Sequence, residues 1–271
     1  MNLVQAVILG IVQGATEFLP ISSDGHLALT YSLMGMKPDL TYEVFLHAAT
    51  LIAMFVYFWT DVVRLLSSLL PRNKRRGAAD RRIVLLIAAG TISSGLVALV
   101  LKDWVEPLSA NMTWVGFFFL CTAGLLALGE ALSSRRPAVP RTEMLSIPRS
   151  LFVGVMQGLA VLPGLSRSGS TIAGSMLAGL SRERAARFSF LLGMPIITLA
   201  AALDAVDVLQ GGTSLPPLAI AIPGFIAAGV SGYLAVWGLL KIVRNHKLYG
   251  FAVYTGVLGT ILLVTSILGR G

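Results

Sequence analysis

The stretch GATEFLPISSDGHLAL, residues 14–29, brings a carboxylate (Glu17), two hydroxyls (Ser22 and Ser23) and an imidazole (His26) close together along the chain. A carboxylate can orient or deprotonate an attacking group, and a hydroxyl or an imidazole can be that group. These residue types at this spacing suit general acid/base or nucleophilic catalysis. A second stretch, PGLSRSGST (163–171), sets Arg167 between Ser166 and Ser168, with Ser170 and Thr171 following. An Arg amid serines and glycines at the start of an apolar helix is equipment for phosphate. Its guanidinium pairs with two phosphate oxygens at once. Free N–H groups and the positive end of the helix dipole add to that attraction.

The elements that must position these residues lie in hydrocarbon. Of 271 residues 55% are apolar and 13% charged, against about 25% charged in soluble domains. Mean hydropathy is +0.80, and apolar runs recur along the whole length, so the bilayer is the solvent throughout. Ionisable groups at membrane depth are costly, which makes each one a site candidate. The first apolar segment lacks a basic leader, so no cleavable signal peptide is expected. The formal charge of +8 does not point to nucleic acid, because the basic residues sit between apolar segments, as orienting loops do. Cys121 is the single cysteine, which excludes an intrachain disulfide and leaves no pair for redox chemistry. Asp24 is expected to cap the half-helix that follows it. His47 and His246 look bland, and Glu43 and Glu130, at the start and end of spans, are expected at the interface.

Six segments are long enough to cross about 30 Å of hydrocarbon: roughly 42–59, 83–101, 112–132, 187–206, 217–240 and 249–268. Two further regions, 3–35 and 149–180, are interrupted midway by Pro, Gly and Ser and read as paired half-helices. Irregular backbone at membrane depth is tolerated only inside protein or beside a water-filled cavity, so both are re-entrant candidates. They also match each other. In GIVQGATEFLPISSDG (10–25) and GVMQGLAVLPGLSRSG (154–169), Gly10 pairs with Gly154, Gln13 with Gln157, Gly14 with Gly158, Ser22 with Ser166 and Gly25 with Gly169. Pro20 and Pro163 miss by one.

The expected fold is therefore an all-α integral membrane protein forming one membrane domain over 1–271. It has six transmembrane helices and two re-entrant helix-loop-helix elements, arranged as a repeat of 1–132 and 149–268. Three spans per half is an odd number, so the repeat is inverted, and its broken elements meet near the midplane from opposite faces. Most of the 21 Lys and Arg fall in clusters at 60–82, 133–149, 182–187 and 241–247. This topology gathers all four clusters on one face, which the positive-inside rule makes cytoplasmic. Both termini are then outside, and the element carrying Glu17 enters from outside.

The two motifs, QGATEFLPISSDGH and PGLSRSGST, resemble the signatures of the undecaprenyl-pyrophosphate phosphatase family of the bacitracin-resistance type, and the similarity in segment order covers nearly the whole chain. The resemblance implies hydrolysis of undecaprenyl pyrophosphate to the lipid monophosphate and phosphate, in the bacterial cytoplasmic membrane, for cell-wall synthesis. It carries over, position by position, to Gln13, Glu17, Ser22, Ser23, His26, Ser166, Arg167, Ser168 and Thr171. Glu17, Ser23, His26 and Arg167 are expected to be catalytic, with Ser23 or His26 as the attacking group. Gln13, Ser22, Ser166, Ser168 and Thr171 are expected to bind substrate. A divalent cation, magnesium or calcium, held partly by Glu17 is compatible with this chemistry, although Gln13 stands where Glu is usual. Asp24 departs from the family pattern, in which a small or hydroxylated residue is usual. The polyprenyl pyrophosphate is expected to meet a site open to the outer side. The rival reading is an inverted-repeat transporter or polyprenyl-phosphate flippase, which explains the architecture but has no need of Ser22, Ser23 and His26 beside an Arg.

Overall fold

A computed structural model of the chain describes residues 1–70, 77–133, 145–209 and 216–269. The basic residues Arg72, Lys74, Arg75, Arg76, Arg135, Arg136 and Arg141 lie outside the described residues. Among the described residues the fold is all-helical. In chain order the helices are α1 (Leu3–Phe18), α2 (Ser23–Leu33), α3 (Leu40–Tyr57), α4 (Trp59–Ser68), α5 (Ala78–Ser109) and α6 (Met112–Ser133). They continue as α7 (Ile147–Leu159), α8 (Arg167–Leu177), α9 (Arg182–Leu209), α10 (Leu218–Asn245) and α11 (Tyr249–Leu268).

Six of these, α3, α5, α6, α9, α10 and α11, are long and apolar enough to cross a membrane. They coincide with the six expected spans, with two differences. The span expected at 83–101 runs on through Asp103 and Glu106, which continue α5 to Ser109. The segment after α3 is not a plain loop: α4 forms there, and Asp61 pairs with Arg64 at 3.2 Å and Arg187 at 3.5 Å, while Arg64 also reaches Asp80 at 3.5 Å.

Both interrupted regions break where expected. α1 begins with a reciprocal cap, in which Gln5 N–H donates to Asn2 Oδ1 at 2.9 Å and Asn2 N–H to Gln5 Oε1 at 2.8 Å. It ends at Phe18, before Pro20, which cannot continue a helix. α7 ends at Leu159, and α8 starts after the Pro163–Gly164 turn, where Gly164 takes φ +95.

Lipid supplies little hydrophobic drive between helices, so small residues let backbones approach closely. α1 packs on α10 and α7 packs on α5. A Cβ on Gly10 would run into the Gly224 carbonyl, and one on Gly14 into α10 at Ala228 and Ser231. In the second region a Cβ on Gly154 would meet the Gly90 carbonyl and one on Gly158 the Ser94 carbonyl, both on α5. Phe18, Met54, Phe58, Leu126, Ile172, Phe190 and Val236 form the largest buried cluster, joining α1, α3, α6, α8, α9 and α10. Outward faces carry Leu96, Leu99, Ile226, Val257 and Ile261, all exposed and apolar, as a surface in contact with lipid tails requires.

Glu130 is not interfacial in the way its position at a span end suggests. It is fully buried, accepts the Leu248 N–H at 3.1 Å and lies 3.6 Å from Arg182 Nε. It ties the end of α6 to the start of α9 and to the α10–α11 connection.

Candidate functional site

The break between α1 and α2 and the break between α7 and α8 face one another. Ser168 Oγ, in the first turn of α8, donates to the Leu19 carbonyl at 2.9 Å, so the start of α8 touches the first break directly. Glu17, in the last turn of α1, is the centre of the contact. Its Oε1 takes Arg167 Nη2 at 2.5 Å. Its Oε2 accepts Ser23 Oγ at 2.7 Å and Gln13 Nε2 at 3.0 Å. Gln13 and Glu17 lie one helical turn apart, which puts both on one face of α1.

Arg167 is the first residue of α8, held by a capped start. Ser166 Oγ accepts the Gly169 N–H at 3.0 Å, and Thr122 Oγ1 on α6 accepts the Ser166 N–H at 2.9 Å. Thr171 donates to the Arg167 carbonyl at 2.8 Å and bonds the Ser189 hydroxyl on α9. The guanidinium rests over Gly193 of α9, where a Cβ would strike Nη1. Buried Nη1 makes no hydrogen bond among the described residues. A buried donor without a partner is costly, and here it sits on a group suited to bidentate anion binding.

α2 starts differently from α8. Ser22 has φ 69 and ψ 99 and is the one positive-φ non-glycine among the described residues. Such backbone costs about 1–3 kcal/mol and persists where surrounding structure enforces it. No side chain caps α2, so its first amide N–H groups are not taken by the Ser22 hydroxyl. Asp24 is therefore not the N-cap: it lies in the first turn, one residue inside the helix. Its side chain is 58% exposed and lies 3.7 Å from His47 Nε2.

A cavity of about 190 Å³ opens beside these groups. Glu17, Ser22, Ser23, Asp24, His47, Ser166 and Arg167 line its polar side, and Ala160, Leu165, Ile197 and Ala200 its apolar side. Ser168 and Thr171 are not at its wall; they bind backbone and anchor the loop and α8 instead. His26 is not at the wall either. Its ring turns away, with Nδ1 2.7 Å from the Ser22 carbonyl and Nε2 2.7 Å from the Tyr254 hydroxyl.

His47 looks bland in the sequence, yet its Nε2 lies 3.6 Å from Glu17 Oε2 and bridges toward Asp24. The signal was present. A histidine inside an apolar span is an ionisable group at membrane depth, and the rule that singled out Glu17 applies to it. No group of three or more His, Cys, Asp or Glu that could hold a metal ion by itself occurs among the described residues. Of the carboxylates at this wall, Glu17 and Asp24 are the groups that could contribute oxygens to a cation. Magnesium ions keep several waters and bind through one or two carboxylates plus substrate phosphates.

Comparison with known proteins gives one family. The family model described as Bacitracin resistance protein BacA matches residues 6–261. Among curated proteins, the Undecaprenyl-diphosphatase of Carboxydothermus hydrogenoformans is 40% identical over 273 residues, covering 100% of both chains. That of Halothermothrix orenii is 39% identical, covering 98% of this chain and 99% of its own. That of Methanosphaera stadtmanae is 37% identical, again covering 98% and 99%. Identity at this level over full length, with the Glu17 and Arg167 motifs meeting at one cavity, leaves a single conclusion: the chain belongs to the bacitracin resistance protein BacA family.

Proposed function

We propose that this chain is a multi-pass phosphatase of the bacterial cytoplasmic membrane. It hydrolyses undecaprenyl pyrophosphate to undecaprenyl phosphate and inorganic phosphate, which returns the lipid carrier to cell-wall synthesis and confers bacitracin resistance. The relatives' activity supports the substrate. The observation that carries the reading is the Ser23–Glu17–Arg167 chain, with spacings of 2.7 and 2.5 Å, at the wall of a cavity between the two broken elements.

In the resting site Glu17 neutralises Arg167. An arriving pyrophosphate offers two anionic oxygens to the guanidinium, including the unpartnered Nη1, and draws it from the carboxylate. Glu17 is then free to accept the Ser23 proton. Ser23 Oγ forms a bond to the terminal phosphorus, the anhydride P–O bond breaks, and undecaprenyl phosphate leaves. Glu17 passes its proton to the departing lipid phosphate, and the carboxylate so restored takes a proton from a water that attacks the phosphoserine. The P–O bond to Ser23 breaks, inorganic phosphate leaves, and Glu17 returns the proton to Ser23 Oγ. Ser23 rather than His26 is the attacking group, since Ser23 lines the cavity while both His26 nitrogens are engaged elsewhere. Gln13 holds Glu17 in orientation. Arg167 and the uncapped amides of α2 stabilise the charge developing on the phosphoryl oxygens, the main source of acceleration in phosphoryl transfer. A divalent cation attached to Glu17, Asp24 and the pyrophosphate would offset substrate repulsion and polarise phosphorus.

The packing pattern supports an inverted repeat of 1–132 and 149–268 with two re-entrant elements. α1 leans on α10 as α7 leans on α5, through Gly10 and Gly14 in one case and the matching Gly154 and Gly158 in the other. Exchanging the halves maps one pair of contacts onto the other. With the basic clusters inside, both termini and the mouth of the site face outward.

A flippase of the same architecture would move the lipid without cleaving it. Release of inorganic phosphate from undecaprenyl pyrophosphate by the purified protein tests the reading. Transport of an intact headgroup with no phosphate released would replace the phosphatase with the transporter.

A further inference from the structure

Ser22 is the backbone distortion of this site, and it immediately precedes Ser23. Its own hydroxyl makes no cap bond to α2. Its carbonyl, however, is held twice by one residue, accepting the His26 backbone N–H at 3.2 Å and the His26 ring at Nδ1, 2.7 Å away. A carbonyl oxygen only accepts, so Nδ1 carries the ring proton. In the neutral ring Nε2 is then an acceptor, and the Tyr254 hydroxyl on α11 donates to it at 2.7 Å. The two rings also stack, with centroids 5.7 Å apart and planes at 11°, while Phe119 of α6 packs edge-on to the imidazole at 5.5 Å. The tautomer, the ring plane and the ring position are thus fixed from α11 and α6, and all three converge on the Ser22 carbonyl.

We propose that Tyr254 and His26 are a positioning pair for the nucleophile. Through the Ser22 carbonyl they hold the positive-φ turn that presents Ser23 Oγ to Glu17 and to the terminal phosphorus, and His26 exchanges no proton with substrate. The inference rests on the Ser23 attack given under Proposed function. It adds a residue, Tyr254, that neither broken element contains, and it changes the role of His26 from acid/base to scaffold.

Two measurements test it. The first compares purified variants by kcat and KM for phosphate release. Tyr254→Phe deletes one oxygen from a ring that is 47% exposed, so the fold is retained even if His26 variants misfold. It should lower kcat about fivefold with KM unchanged, the size of one neutral hydrogen bond. His26→Asn keeps an N–H where Nδ1 stands and should stay within about tenfold of the parent, while His26→Ala should lose about a hundredfold, as misplacement of a reacting group does. His26→Asn as inactive as His26→Ala, or Tyr254→Phe with unchanged kcat, would overturn the pair. The second is nitrogen NMR of histidine-labelled protein without substrate, with the His26 signal identified by its loss in His26→Asn. It should show the Nδ1-protonated tautomer, shifting in Tyr254→Phe; a proton on Nε2 would overturn the pair even if no phosphatase activity were found.

Discussion

Glu17 and Arg167 lie far apart in sequence and 2.5 Å apart in space, and substitution of either should cost most of the activity, each for its own chemical reason. Arg167→Lys keeps the charge but loses the planar fork, and turnover should fall by about two orders of magnitude, the cost of removing a transition-state donor. Expression should be intact, and a near-normal rate in steady-state assays would remove the bidentate contact from the account. Glu17→Gln should lose at least as much, because an amide cannot take the Ser23 proton. Asp24 sits at the rim rather than the centre, so Asp24→Asn should leave kcat nearly unchanged and, if the proposed divalent cation is held there, should raise the magnesium concentration needed for half-maximal rate. A titration of rate against magnesium reads this directly. Glu17, Ser23 and Arg167 were legible in the sequence because charge and hydroxyls in hydrocarbon demand a reason. The direction of His26 was not, since one unusual dihedral at Ser22 decides where the α2 face points, and no residue-type rule places a positive φ on serine.

The helices meet through glycine, and the matched positions should behave alike. Gly10→Ala and Gly154→Ala each drive a methyl into a carbonyl of the neighbouring span, Gly224 and Gly90 respectively. Each should destabilise the protein by about 1–3 kcal/mol, the usual range for overpacking. Gly238→Ala, where nothing lies within 4 Å, should leave stability unchanged, and thermal unfolding in detergent compares the three. Equal midpoints for all three would show that α1–α10 and α7–α5 are not close-packed seams. The spans and both helix breaks were legible because long apolar runs and Pro–Gly–Ser interruptions are local signals. α4 and the burial of Glu130 were not: α4 is fixed by ion pairs to α5 and α9, and Glu130 by Arg182 and the Leu248 amide. Partners that distant leave no trace in a local window.

At the scale of the whole molecule the inverted repeat predicts which ends share a face. In a Cys121→Ser background, single cysteines replacing Lys247, on the α10–α11 connection, and Ala110, between α5 and α6, are both exposed. Impermeant thiol reagents should label position 110 from outside and position 247 only from the cytoplasmic side; labelling of both from one face would contradict the topology. In the sequence the proposed repeat rests on Gly10, Gln13 and Gly14, which recur as Gly154, Gln157 and Gly158. What the recurrence could not tell is that the carboxylate belongs to one half alone: Gln157 donates to Ser94 at 3.3 Å, and the position matching Glu17 is Val161. The proposed site is asymmetric, one half supplying Glu17 and Ser23 and the other Arg167. The most direct test of that division is phosphate release from undecaprenyl pyrophosphate in proteoliposomes, run with the parent protein, Ser23→Ala and Arg167→Ala at equal reconstitution. The account predicts one phosphate per lipid monophosphate formed by the parent and a loss of at least about two orders of magnitude in either variant. Parental rates in both variants would contradict it.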